Sequence, residues 1–152
     1  MKLILLFVWL FALNIITAQE SEKKAVQKTI ETFFDGFHKQ DSMLIKQTVS
    51  ENIIVQTIGK NKEGNSVIRN EDFGKFLKSI ASIPDTLQFK EKLMSFNIQV
   101  DGAMANAWTP YEFWMNNTFH HCGVNSFHLF KDENAWKIIY LIDTRRKEDC
   151  QE

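Results

Sequence analysis

From Ser21 to His38 the apolar residues Val26, Ile30, Phe33, Phe34 and Phe37 recur at steps of 4, 3, 1 and 3, the stripe that one face of an α-helix buries. Asp41 then stands where an N-cap belongs, ahead of a short helix carrying Leu44 and Ile45, because a short carboxylate can accept the first free backbone N–H groups. ENIIVQTIG, at 51–59, is rich in β-branched residues and reads as a strand, closed by Gly59 and the polar loop KNKEGN. Asn70 is the expected cap of a third helix with Glu71 and Asp72 in its first turn, an apolar stripe of Phe73, Phe76, Leu77 and Ile80, and Pro84 just past its end.

Beyond Pro84 the period changes to two. Leu87, Phe89 and Leu93 share one parity and Met94, Phe96, Ile98 and Val100 the other, the phase slip that a β-bulge in a bending strand produces. Asp101-Gly102 is a hairpin signal, strands are expected over 103–114 and 119–130 about Asn116-Asn117, and KDEN turns into a last strand, AWKIIYLIDT. Helices first and an antiparallel meander afterwards, with no repeat and no internal linker, make one α+β domain.

The amino terminus changes the picture of where this domain works. MKLILLFVWLFALNIITAQE joins a basic start, an apolar run from Leu3 to Leu13 and small residues at Thr17-Ala18. This is the layout of a secretory signal peptide, with an apolar core shorter than the roughly 20 residues of a bilayer span. Residues 1–18 are therefore expected to be removed and 19–152 to form the mature domain, secreted or periplasmic, with no membrane attachment after cleavage. Without Lys2 the mature chain has 17 basic against 19 acidic side chains, so nothing in its charge points to nucleic acid. Export permits a disulfide, but Cys122 reads as mid-strand and Cys150 sits in the polar tail RRKEDCQE, which favours two unpaired thiols.

Helix, short helix, strand, third helix and a long bent meander form an order that resembles the nuclear transport factor 2-like superfamily. The first helix, AVQKTIETFFDGFHKQD, and the closing hairpin, CGVNSFHLFKDENAWKIIYLIDTRR, are the segments most similar to exported bacterial members, some described as lumazine-binding-like, and the resemblance spans 22–146. It implies a cone-shaped α+β fold with helices packed on a strongly bent, mostly antiparallel sheet. It also implies a pocket between the concave face and the helices, and a homodimer through the outer face. The superfamily includes binders, cofactor-free isomerases, cyclases and dehydratases, and interaction modules, so the fold does not choose the activity.

FHHCGVNSFHLF, residues 119–130, concentrates three of the four histidines and one cysteine. Successive side chains in a strand alternate faces, so His120 and His121 should diverge, with His128 about 26 Å from His120 at ~3.3 Å per residue. No metal and no cofactor is expected, because a zinc ion needs three or four ligands within about 2.3 Å. A two-residue turn at Asn116-Asn117 would pair Glu112 with His121 and Trp108 with Asn125. A KDENA turn pairing Phe130 with Trp136 would set Asp143 beside Gly123 and Arg145 beside His121.

One face then carries Trp108, Glu112, His121, Asn125, Phe127, Ile139, Leu141, Asp143 and Arg145. It mixes apolar and convergent polar groups and is the expected pocket wall, with Trp108, Glu112, His121, Asn125, Asp143 and Arg145 as ligand contacts. The other, with Ala105, Ala107, Thr109, Tyr111, Cys122, Val124, Ser126, Trp136, Ile138, Tyr140 and Ile142, is the expected dimer surface. Glu112, His121 and Asp143 are the proton carriers an enzyme would use, and Arg145 could anchor an anion. A small apolar or flat aromatic ligand fits this lining. Enzyme, binder and interaction module with a vestigial pocket all remain open.

Overall fold

The computed structural model describes residues 2–84, 86–133 and 135–150, with side chains from residue 19 onward. Among them are helices α1 (Lys2–His38), α2 (Ser42–Gln47) and α3 (Phe73–Ala81). The strands are β1 (Val49–Lys60), β2 (Ser66–Glu71), β3 (Phe89–Leu93), β4 (Asn97–Asp101), β5 (Met104–Met115), β6 (Thr118–Asp132) and β7 (Ala135–Thr144). They form one sheet in the order β2-β1-β7-β6-β5-β3, with β4 also on β5; only β1 and β7 run parallel. The side chains on which the signal-peptide reading rests, residues 1–18, lie outside the described residues. No helix among the described residues is long and apolar enough to cross a membrane.

Local chemistry explains several element ends. Asp41 accepts from the N–H groups of Met43 and Leu44, both at 3.0 Å. Asn116 and Asn117 take φ values of 49° and 60°, the left-handed pair that a two-residue hairpin turn requires. The cap of α3 is Asp72, accepting from Lys75 N–H at 2.7 Å, and not Asn70: the chain is still extended through Glu71 in β2, which pairs with β1. This edge strand escapes a periodicity reading because only Val67 in it is half-buried. The phase slip after Pro84 is a break between β3 and β4, held at its middle by Met94 N–H donating to the Pro110 carbonyl, 2.8 Å.

Two register slips bend the meander and overturn the pairings expected from the turns alone. Next to the Asn116-Asn117 turn Trp114 pairs with Phe119, but the next pair is Phe113 with His121. His120 is the extra residue of a bulge, and all of β6 beyond it is displaced by one. Glu112 therefore faces Cys122, Trp108 faces Ser126, and Asn125 faces Thr109. In β7 the turn pairs Phe130 with Lys137, not Trp136, and Ile139 is then skipped between the Leu129–Ile138 and His128–Tyr140 pairs; the two steps together set Asp143 beside Asn125, not Gly123, and take Arg145 out of register with His121. A one-residue slip exchanges faces. Ala105, Ala107, Thr109 and Tyr111 consequently point into the domain, as do Trp136 and Ile138, while Trp108 and Glu112 point out.

The core forms where α1 lies across this concave face: Val26, Ile30, Phe33 and Phe34 pack with Ala105, Ala107, Phe127, Leu129 and Ile138. Glu22 fastens the helix to the sheet, accepting from Lys131 Nζ at 2.5 Å and Trp136 Nε1 at 2.9 Å. Gly123 is required by close approach. A Cβ there would sit 1.8 Å from the Thr144 carbonyl oxygen and 2.8 Å from Tyr111 Oη.

The cysteines are joined, contrary to the expectation of free thiols: Cys122 and Cys150 form a disulfide. Past the end of β7 the chain keeps running alongside β6 in the same register, Cys122 and Arg146 exchanging backbone hydrogen bonds of 2.9 Å, so the polar tail reaches a cysteine that the sequence places mid-strand. The bridge closes a loop with a sequence separation of 28 residues, and loop-closure entropy for that length amounts to about 3–4 kcal/mol. Cys150→Ser should lower unfolding stability by roughly 2–4 kcal/mol in urea titrations; a loss under about 0.5 kcal/mol would contradict the bridge's role.

Candidate functional site

A cavity of about 430 Å³ opens between the concave sheet and the helices. Its apolar wall is mostly phenylalanine: Phe33, Phe34 and Phe37 from α1, Phe76 from α3, Phe89 from β3 and Phe113 from β5. The rings order one another, Phe37 stacking on Phe76 at 6.1 Å and meeting Phe89 edge-on at 5.0 Å, spacings at which aromatic pairs attract.

Polar groups gather at the β5–β6–β7 end. Asp143, nine-tenths buried, is held by three elements: it accepts from Thr57 Oγ1 at 2.5 Å, from Tyr111 Oη at 3.4 Å and from Arg145 Nε at 2.8 Å. The single Tyr111 O–H is shared between Asp143 and the Thr144 carbonyl, the latter the shorter contact at 3.0 Å. Burial first, then the charges of Glu91 and Asp143, push the Tyr111 phenol far above its ordinary range, so it stays a neutral hydrogen-bond donor. Burial works against the Arg145 charge, but the adjacent Asp143 outweighs it and keeps the guanidinium more firmly protonated than usual.

Glu91, on β3, has no such cation. Its Oε1 accepts from Asn125 Nδ2 at 2.6 Å, and its backbone N–H donates to His38 Nε2 at 3.0 Å. Desolvation, reinforced by the Asp143 charge and only partly relieved by Asn125 and Arg145, raises its pKa from 4.5 to about 7. His38, half-buried against Phe34 and Phe37, is shifted down by desolvation and by Lys90.

The bulge decides the fate of the two adjacent histidines. They do not diverge: both line the cavity, with their Nδ1 atoms 2.8 Å apart. His121 stacks on Phe113 at 4.9 Å. Burial, then Arg145 and His120, lower its pKa to about 4, so its ring is neutral at pH 7. Among the described residues no group of three or more His, Cys, Asp or Glu side chains is placed to hold a metal ion.

Of the residues singled out from sequence, the structure brings His121, Asn125, Asp143 and Arg145 together at the cavity. Trp108 and Glu112 are not there. Trp108 is 53% exposed on the outer face, and Glu112 accepts from Trp114 Nε1 at 3.0 Å on that side, near Lys92; both were carried outward by the slip at His120. Arg145, read as a possible anion anchor, donates to Asp143 from Nε at 2.8 Å. Glu91, Tyr111, Thr57, His120 and Phe113 were missed. Glu91 left one signal, a carboxylate on the apolar parity of Phe89 and Leu93; Tyr111 and Phe113 were hidden by the register.

With this geometry the chain is seen to have the nuclear transport factor 2-like fold. An NTF2-like protein with a cystatin-like fold from Novosphingobium aromaticivorans aligns over 92% of this chain and 90% of its own, at 12% identity and a TM-score of 0.66. A protein from Streptomyces avermitilis, provisionally described as a dehydratase of the NTF2-like family, aligns over 84% of this chain and 97% of its own, at 12% identity and a TM-score of 0.63. The beta subunit of a provisionally assigned aromatic-ring-hydroxylating dioxygenase, also from N. aromaticivorans, covers 84% of this chain and 91% of its own, at 8% identity and a TM-score of 0.68. No protein-family model and no curated protein matches the sequence. Identities this low establish the fold and leave the activity to the site.

The folded protein keeps a proton on Glu91 that the unfolded chain releases near pH 4.5. Its contribution to stability is therefore unperturbed below that pH, falls as pH rises towards about 7 and is constant above. Glu91→Gln should abolish that fall and make the protein more stable than wild type near pH 8 by roughly 1–3 kcal/mol. Parallel pH profiles for the two proteins would refute the assignment.

Proposed function

We propose that the chain is an exported small-molecule-binding protein whose cavity takes a compact ligand with a flat apolar body and a polar head. The observation that carries this reading is the cavity itself, about 430 Å³ with six phenylalanines along its walls and Glu91, Tyr111, His121, Asn125 and Asp143 at one end. Apolar walls with a few convergent polar groups, in a volume above ~300 Å³, are the usual makeup of a ligand site. An open cavity of this size weighs against an interaction module with a vestigial pocket. Export rests on the amino-terminal pattern of residues 1–18.

A second reading, a cofactor-free acid–base enzyme, is favoured by one observation. Glu91, with a pKa of about 7, suits reversible proton transfer near neutrality, whereas Asp143 is occupied by three donors. The likeness to the S. avermitilis protein is compatible with this reading. Glu91, in place of the Glu112 and Asp143 suggested by sequence, would be the proton carrier, and turnover would follow its titration.

The neutral fluorophore N-phenyl-1-naphthylamine tests the cavity. Its emission should rise on binding, with affinity weakened about fivefold or more by Asp143→Asn and by His121→Ala and changed less than about twofold by Trp108→Ala. Equal effects at all three positions would place the ligand elsewhere.

We also propose a homodimer through the outer sheet face, although not through Ala105 and Ala107, which the slip buries in the core. The outward residues are Trp108, Ile54 and Met104, exposed by 53%, 54% and 57%, with half-buried Val124, Tyr140 and Ile142 between them. An apolar surface of this kind on a sheet whose other face carries the helices calls for a partner. Sedimentation at micromolar concentration should show a dimer that Trp108→Arg dissociates; a wild-type monomer would refute it.

A further inference from the structure

We propose that the cavity selects a cationic ligand, a protonated primary amine on a flat aromatic body, seated with its ammonium against Glu91 and the rings of Phe89 and Phe113. The inference rests on the cavity being a ligand site and specifies the charge of what it holds.

Three features of the geometry converge on it. First, the acids outnumber the bases. The lining contains the carboxylates of Glu71, Glu91 and Asp143 against one guanidinium, Arg145, and that guanidinium is bound to Asp143 at 2.8 Å. An anion entering the cavity would find its only cation already paired.

Second, Glu91 is the one carboxylate there that is sheltered yet without a cation. Asp143 is neutralised by Arg145, and Glu71 is exposed to water. The groups facing Glu91 are His38 from α1, Tyr111 from β5, Asn125 with His120 and His121 from β6, and the Asp143–Arg145 pair from β7. Its strand neighbours Lys90 and Lys92 alternate to the other side and are exposed. Among the described residues Asn125 is the single side-chain donor to the carboxylate, which leaves its second oxygen to accept from a ligand.

Third, the seat beside that oxygen is aromatic. Phe113 lies directly across from Glu91 in the β3–β5 register and Phe89 precedes it by two residues on the same face, with their rings nearly parallel at 6.2 Å. Directly opposed side chains in an antiparallel pair have Cβ atoms about 5 Å apart. A cation on Glu91 would therefore sit among these aromatic side chains, which also line the cavity. A neutral ligand would leave Glu91 as it is, half-protonated near pH 7. A cation supplies the missing countercharge, displaces the proton and is held more tightly as pH rises.

Three nearly isosteric probes separate the possibilities by calorimetry: 2-naphthylmethylamine (cation), 2-naphthylmethanol (neutral) and 2-naphthoate (anion). Near pH 8 the amine should bind about tenfold tighter than the alcohol and the naphthoate weaker than either; near pH 5.5 the advantage of the amine should shrink to about threefold or less. Glu91→Gln, checked for cooperative unfolding, should lose the preference for the amine, the ratio of amine to alcohol affinity near pH 8 falling from about tenfold to about twofold or less. Naphthoate binding as tightly as the amine, or a preference for the amine that survives Glu91→Gln, overturns the proposal while leaving the cavity a ligand site. Binding of none of the three at millimolar concentration overturns both.

Discussion

Everything in this molecule depends on the bend of the β5–β6–β7 meander, and the bend depends on two residues left out of the ladder. His120 and Ile139 each add one position to one strand without a partner, which twists and curls the sheet locally. Without the curl α1 would lie flat on the sheet and its phenylalanines would fill the interior. With it, Val26 and Ile30 seal one end of the concavity while Phe33, Phe34 and Phe37 form the roof of a chamber. The same slips help decide which polar side chains reach the chamber: Asp143 comes to lie beside Asn125, and both histidines border the cavity, His120 at its exposed edge.

The polar end of the chamber is divided by charge compensation. Asp143 has Arg145, Thr57 and Tyr111, and it functions as a brace that ties β1, β5 and β7 together. The disulfide and the Gly123 contact lie behind this brace and fix the strand ends that carry it. Glu91 has an amide and no cation, which makes it the adjustable member of the pair. Stability is given up above pH 4.5 to keep a carboxyl group at an apolar wall, and such uncompensated groups gather where a protein meets a ligand.

Much of this was legible from the sequence wherever the signal is local. The stripe of Val26, Ile30 and Phe33, the Asp41 cap and the paired asparagines each specify their own conformation, and element order sufficed to suggest the fold. The failures are non-local. Whether His120 sits in the ladder or bulges out of it depends on packing across three strands, and one missed bulge was enough to exchange the faces of β5. Trp108 and Glu112 thus moved out of the pocket, while Tyr111 and Phe113 moved in. The disulfide was missed for a related reason, since only the continued run of the chain alongside β6 brings Cys150 to Cys122. Glu91 could have been found: an acid at the apolar phase of a strand, between Phe89 and Leu93, is a local irregularity that costs stability unless it is used.

The central claim is that the bent sheet holds a carboxyl group in an apolar chamber without a countercharge. The most direct measurement is the titration of the Glu91 side-chain carboxyl ¹³C resonance, assigned by comparison with Glu91→Gln. An inflection near pH 7 is the result this account predicts; an inflection near 4.5, the ordinary value for a glutamate in water, would contradict it.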